Sequence, residues 1–486
     1  MSTTNTRATG IETFENYAVE QVENTVPVTG GGSTLYAIRK AAESMNADSP
    51  REMSGDITDD GMRASTVAAT KTVGGDISGQ LSHQSHLDFY RQICGRASYT
   101  TDTLSDDVDI DVSGTVYTAQ FNSGGASAAT VSISGVIVNG PIKFSAFATG
   151  ANNGIWNVVS VDSASGKIVF SKTYKDQTNP ITESVASATI VQGPYVKHGG
   201  TFKESNAIEK GFMSVNKIES INRFLGQYVS AIGHTFAQGG GVDMTTSFVG
   251  MSETVVNNAM MGPGAVTPWT CLGTGNIATS TEVTLTAGDG TIAINDFFYA
   301  EPDTSNTKYT ITSIGGSNGI FSVTPALQTT LPTTSAVYMS RPGTFRGEAQ
   351  KQENNLGYAI IDGSVACTTG ATLNIVNNAV AGYCVGDANA SYVTFGNKDV
   401  DGSIETIKSS AMQALIAKAR AGTLFPGVWY FRDRSGNTTA ITLPSIDGSH
   451  NVAAVGGDGE VPKSIPIKAL KSSTYSTNCI ISVIAA

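Results

Sequence analysis

The run Val242–Met251 leaves little freedom in how this chain folds. Val242, Met244, Thr246 and Phe248 fall on one side and Asp243, Thr245 and Ser247 on the other, the period of two of a strand with one packed and one wet face. Two strand-like runs precede it, Ala207–Ile218 and Phe224–Ala237, the second joined to it through Gln238-Gly239-Gly240-Gly241, whose glycines take positive φ at little cost. In the middle run, Tyr228, Ile232 and Phe236 are expected on the packed face, opposite Gln227, Ala231, Gly233 and Thr235. Glu204–Met251 therefore predicts a long β-meander whose wet side is small, hydroxylated and acidic. Such a sheet closes on itself or pairs with copies from neighbours, because open edges invite association.

At 486 residues the chain exceeds one ordinary core, and about two to four compact units are expected. With 53 glycines, abundant Ser and Thr, and only 15% charged residues, it favours strands and turns, so the fold class expected is mainly β. A net charge of −11 argues against a surface that holds nucleic acid by counterion release, which needs clustered Lys and Arg. Cys94, Cys271, Cys367, Cys384 and Cys479 are an odd set without CxxC spacing; neither a zinc cluster nor a disulfide framework is expected, and a reducing site of synthesis fits. Met1–Gly10 lacks the apolar core of a signal peptide, and no run approaches the roughly 18 apolar residues of a membrane helix. No export route and no membrane partner are expected.

In chain order, residues 1–20 read as a polar arm, either disordered or docked on a partner, with Ala8, Ile11 and Phe14 as candidate inter-subunit contacts. Glu20–Gly32 reads as a strand and turn, and Ser33–Asn46 as a short helix with Leu35, Ile38, Ala41 and Met45 in its stripe. Thr70–Ser82 predicts a kinked strand interrupted by Gly74, Gly75 and Gly79. A helix follows, with Ser85-His86-Leu87-Asp88 as its capping box and Gly95 as its stop. Further on, Leu356–Ile375 and Ala379–Phe395 predict a hairpin and Ile404–Ala421 the clearest helix. Val428–Arg432 and Thr438–Leu443 flank a turn, and Ile465–Leu470 and Cys479–Ala486 close the chain as strands.

Residues 116–195 and 268–345 differ from the rest, being rich in Ser, Thr, Ala, Gly and Asn, and they resemble each other. Laid over one another without gaps, Asn153–Phe170 and Asn306–Val323 match Trp156 with Tyr309, Val158 with Ile311, Ser160 with Ser313, Gly166 with Gly319 and Phe170 with Val323. The aromatic, β-branched and turn positions agree, which predicts one small β-barrel or sandwich inserted twice.

Chemical motifs are sparse. Gly315-Gly316-Ser317-Asn318-Gly319 fits G-x-S-x-G, but that nucleophile needs a strand-to-helix elbow and this segment links two strands of the repeat, so a turn is expected. His83 and His86 have no third ligand nearby. Asp107, Asp109 and Asp111 alternate with Val108, Ile110 and Val112 as a wet-faced strand does, without the Gly and Glu of a calcium loop. Gly239–Gly241 lacks the Lys-Ser/Thr of a phosphate loop. Trp156 and Tyr309 read as barrel packing, with sugar stacking as the alternative. No triad, carboxylate pair or cofactor fingerprint stands out; no enzyme activity, cofactor or metal is expected.

Several of these pieces form a series. It runs through Glu23-Asn24-Thr25 to Gly30, then Ser54, Ile57 and Arg63, then Val73-Gly74-Gly75-Asp76-Ile77-Ser78-Gly79-Gln80-Leu81-Ser82 into the helix Leu87–Cys94. Asn206–Met251 follows, and then the C-terminal helix with Trp429-Tyr430-Phe431-Arg432-Asp433, Gly436-Asn437 and Leu443-Pro444. In this order they resemble the tail tube (major tail) proteins of long-tailed bacteriophages, especially siphophages; the match departs near Gly30–Thr34, where the family often has a Pro after its Gly-Thr turn.

The resemblance implies a tail-tube β-sandwich or barrel with long inner hairpins and short flanking helices, split as residues 21–115, 196–267 and 346–486 around two inserted small β domains. It implies hexameric rings stacked into a hollow virion tube assembled in the host bacterial cytoplasm. The tube would pass double-stranded DNA and the tape-measure protein, with tail-terminator and baseplate proteins as further partners. It places Gln227, Thr235, Asp243, Thr245 and Ser247 on the lumen and Gly239, Gly240 and Gly241 at the inner-hairpin turn. An acidic conduit keeps a polyanion moving, and strand edges become assembly bonds when copies close a ring. Two other classes stay open at this point. One is an adhesin whose repeated β domains bind receptor or carbohydrate; the other is a polysaccharide-cleaving enzyme, for which no convincing acidic pair is present.

Overall fold

The computed structural model describes residues 13–27, 34–53, 66–122, 133, 135–214, 217–237, 241–256, 269–272, 278–286, 291–300, 302–305, 307–315, 319–333, 335–341, 343, 357–365, 368–407, 410–449 and 462–486. The fold is mainly β and is placed by one strand. Lys217–Ala237 runs for 21 residues, about 70 Å at strand rise. Its first half lies between Asn206–Ser214 and Ser252–Val256, and Thr13–Val19 and Tyr36–Ala37 extend that sheet. Its second half lies between Val242–Gly250 and Thr368–Val376 in a broader sheet.

The exchange of neighbours occurs at Gly226, where φ is +64° and an added Cβ would lie 2.8 Å from Met251. Glu20 fixes this bend. Its buried carboxylate accepts from Gly226 N and Asn24 N, each at 2.8 Å, and from Ser205 Oγ, while burial raises its pKa.

The broad sheet continues in register from Thr72–Gln80 through Val242–Gly250, the long strand, Thr368–Val376 and Asp399–Ile407 to Pro462–Ala469. Thr438–Gly448 then carries the chain into a second layer with Phe425–Arg432, Gly357–Ile361 and Ile480–Ile484. The layers meet through alternate residues: Ile232, Phe236, Leu373, Ile404 and Ile465 face Trp429, Phe431 and Ile441, and the Phe236 and Phe431 rings stack at 4.5 Å. The helix Leu87–Ile93 seals this core, with Phe89 edge-on to Phe248 at 5.4 Å.

Two six-stranded barrels share one cyclic strand order. In the first, Thr100–Ser113, Val116–Asn122, Lys167–Lys172, Gly154–Asp162, Pro141–Ser145 and Glu183–Lys197 follow each other around the ring and close it. The second follows the same path through Trp269–Thr270, Glu282–Thr284, Ile320–Thr324, Tyr309–Ile314, Phe297–Ala300 and Ala336–Ser340, with Cys271 opposite Leu285 closing it. Trp156 and Tyr309 are both fully buried, a bulge follows Val158 in one and Ile311 in the other, and Gly166 and Gly319 both have positive φ.

Several expectations change. The first barrel begins at Thr100, not at 116, because Thr100–Ile110 pairs along Glu183–Tyr195; the latter strand then continues into the core sheet against Ile480–Ser482. Thr13–Val19 is not a free arm: Tyr17 and Ala18 are core residues, and Phe14 packs within the chain beside Ile221, Phe297 and Tyr299. Ala8 and Ile11 lie outside the described residues, as do Ser54, Ile57 and Arg63. Gln21–Thr25 is turn, and Ser33–Asn46 gives the short strands Tyr36–Ala37 and Ala42–Glu43 in place of a helix. The C-terminal helix starts at Ser410, since Asp399–Ile407 is strand. The helix Leu87–Ile93 has His86, not Ser85, at its N-cap, and the His86 side chain makes no cap bond. Ala379–Gly382 pairs with Tyr392–Phe395 as a hairpin of its own, and the strands from Gly357 onward join the two layers.

Gly226→Ala is expected to destabilise the fold by about 2–3 kcal/mol, through a left-handed Cβ and a clash at Met251. Urea unfolding checks this; an unchanged midpoint would refute the bend's role.

Candidate functional site

Strand pairing alone lays out the open face of the broad sheet, since directly paired residues point the same way. One row runs Ala42, Ser78, Thr245, Gly233, Asn374, Asp401, Lys468 and Asp447. The next runs Gln80, Asp243, Thr235, Thr372, Ser403 and Pro466. On the other flank stand Asp76, Ser247, Ala231, Val376 and Asp399. The first row spans about 34 Å at strand spacing.

This face is built of small and hydroxylated side chains. Ser78 and Thr245 hydroxyls bond across strands at 2.9 Å, as do Thr372 and Ser403. Its described charged side chains are Asp48, Asp76, Asp243, Asp399, Asp401, Glu405 and Asp447 against Lys468, which stands between Asp401 and Asp447 in register. A long-range field from seven carboxylates against one ammonium repels a polyanion.

Thr235 and Asp243 are exposed and Thr245 and Ser247 half-buried on this face. Gln227 is not there. It is 0% exposed, its amide donates to Leu225 O at 3.1 Å, and Gly250 leaves the room it fills. A bulge between Val229 and Ala231 shifts the alternation, so Tyr228 leaves the main core and packs with Met251 and Val393 instead. Gly241 is described beside Gln80; Gly239 and Gly240 lie outside the described residues. The sequence reading missed Asp399, Asp401, Ser403 and Glu405, although they alternate with Val400 and Ile404 at period two; the helix-like spacing of Ile404 with later residues masked that signal.

The first barrel stands on the opposite side of the sandwich from this face. Trp429 and Phe431 point inward, while Val428, Tyr430 and Ala440 point out toward the barrel, where Tyr430 OH donates to Asn157 Oδ1 at 2.7 Å and Thr442 Oγ1 to Asn139 O at 3.0 Å. Arg432 stacks over Tyr174 at 4.2 Å along the same seam. Because Trp156 and Tyr309 fill barrel cores, neither ring is offered to a sugar.

No family model matches this chain, and no curated protein does. Among the described residues no group of three His, Cys, Asp or Glu is arranged to hold a metal, and no helix is long and apolar enough to cross a membrane. Asp107, Asp109 and Asp111 lie in a barrel strand, with Asp109 accepting from Ser184. Gly315 and Gly319 flank the link between two paired strands.

Four of the described histidines are buried. His234 points inward from the long strand, bonded to Tyr90 OH at 2.7 Å; burial pushes its pKa down to about 3 and that of His86 to about 4. His83 and His198 are lowered by burial as well. A folded-state pKa below the unfolded value means that the unfolded chain binds protons first, so stability is complete above about pH 6.5 and falls as pH drops below it. Glu15 and Glu20, raised by burial, act in the opposite sense as they are neutralised. A variant isolates the histidine: between pH 7 and pH 5 the parent is expected to lose about 2 kcal/mol more than His234→Gln. Urea midpoints across that range test it, and parallel pH profiles would contradict it.

Proposed function

We propose that this chain is a structural subunit that self-assembles into the hollow tube of a long-tailed phage. The observation that carries the reading is the open face: a wide, in-register, small-polar and acidic surface on one side of a sandwich whose other side bears the first barrel. Lining a conduit with such residues offers DNA one ammonium, Lys468, set between the carboxylates of Asp401 and Asp447, so little counterion release rewards adsorption and the duplex passes. The barrel stands where it would decorate the outside. Hexameric rings, passage of DNA and tape-measure protein, contact with terminator and baseplate proteins, and a virion location all belong to this proposal and rest on the resemblance.

Negative-stain electron microscopy with light scattering on the purified chain tests it. Rings or tubes with a bore of roughly 20 Å or more, wide enough for a duplex, are expected, and discrete monomers at high concentration would overturn the reading. Changing Asp243, Asp401 and Asp447 together to Lys is expected to make the assemblies retain duplex DNA at low salt, with retention falling steeply as salt rises. Retention no greater than the parent's would contradict the electrostatic part.

A further inference from the structure

The strand Thr72–Gln80 has different company at its two ends. At the Thr72 end stands the hairpin of Ala379–Gly382 and Tyr392–Phe395, tied down by Tyr383 OH to Lys71 O at 2.9 Å and Lys71 N to Ala388 O at 2.8 Å. Its inner side, with Ala379 and Val393, packs on Tyr228 and Met251. Its outer side is apolar and bare: Val380 is 61% and Tyr392 49% exposed, and Val385 at the tip is fully exposed. Several exposed apolar side chains on one small hairpin mark a contact surface. Beside them the exposed Asp387 carboxylate accepts from Ser391 Oγ at 2.8 Å, and no cation among the described residues pairs with it.

At the Gln80 end, about 26 Å away along the strand, a cavity of about 700 Å³ opens between the N-terminal strand and the second barrel. Phe14, Ile38 and Phe297 give it apolar walls. Its rim is cationic. Lys40 is held by the buried Glu15 at 3.0 Å, but Lys308 lies over the Phe297 ring at 4.5 Å with no carboxylate partner among the described residues. Burial lowers the Lys308 pKa, so this ammonium gains from an arriving negative charge.

We propose that the two ends are complementary: the hairpin tip of one copy seats in the cavity of the next, with Val385 against Phe14 and Phe297 and Asp387 beside Lys308. The inference rests on the self-assembling reading above and names the contact that propagates it. Two different patches at opposite ends of one chain form a heterologous contact, which repeats from copy to copy along an axis.

A native probe is in place. Cys384 is exposed on the hairpin, whereas Cys94, Cys271 and Cys479 are buried. In a Cys367→Ser background with Lys308→Cys added, mild oxidation of the assembled protein is expected to give a ladder of covalent oligomers on a non-reducing gel; the background alone and its Cys384→Ser, Lys308→Cys variant should give none. As a check independent of cross-linking, Asp387→Lys and Lys308→Asp should each lower the assembled fraction about tenfold, and the double exchange should restore it, as coupled charge pairs do. Rings or tubes that form without a ladder, with no restoration in the double exchange, would overturn this contact and leave the tube reading standing. Monomers by microscopy and scattering would overturn both.

Discussion

A strand of 21 residues in the middle of a protein must find partners on both sides for its whole length, because buried peptide groups left unpaired are costly. The chain meets this demand by giving each half of Lys217–Ala237 a different sheet and turning between them at Gly226. Glu20 supplies the acceptor that the bend would otherwise lack. Much else follows from that division. The first half ties down the N-terminal strand, and the second sets the register of the broad sheet, from which the two-layer core and its seam with the first barrel are built.

Some of this was legible because single residues decide it. The alternation of Val242–Phe248 reads directly as one packed and one open face, and the structure keeps it residue for residue. The matched Trp156 and Tyr309, Gly166 and Gly319 occupy equivalent places in two barrels of one strand order. Elsewhere, long-range contacts overrode local pattern. Ser33–Asn46 has helical spacing, but its backbone runs close against Thr72–Gln80, where Gly79 admits Arg39 O and Gly75 admits Ser44 O at distances no Cβ would allow. Gln227 was misplaced for a similar reason: one bulge reverses every later side chain, and nothing local announces it.

The open face illustrates how a site without catalytic groups is recognised. None of its residues is chemically distinctive alone; what matters is that separate segments of the chain bring small, hydroxylated and acidic side chains into register. In the proposed tube, that uniformity is the function, since a conduit works by offering DNA nothing to hold. The same logic assigns binding to the periphery, where the exposed hairpin and the cavity at the other end of Thr72–Gln80 are apolar and oppositely charged.

The central claim is that the open face becomes an enclosed bore. In a Cys367→Ser, Cys384→Ser background, which leaves only the buried Cys94, Cys271 and Cys479, a cysteine introduced at Asp243, at Asn374 or, as an outer control, at the barrel residue Val116 can be treated with a small maleimide and with one carrying a long polyethylene glycol chain. In assembled protein the account predicts that all three sites react with the small reagent, while only Val116 takes the large one at the rate seen in dissociated protein. Equal reaction of Asp243 and Asn374 with the large reagent before and after assembly would contradict it.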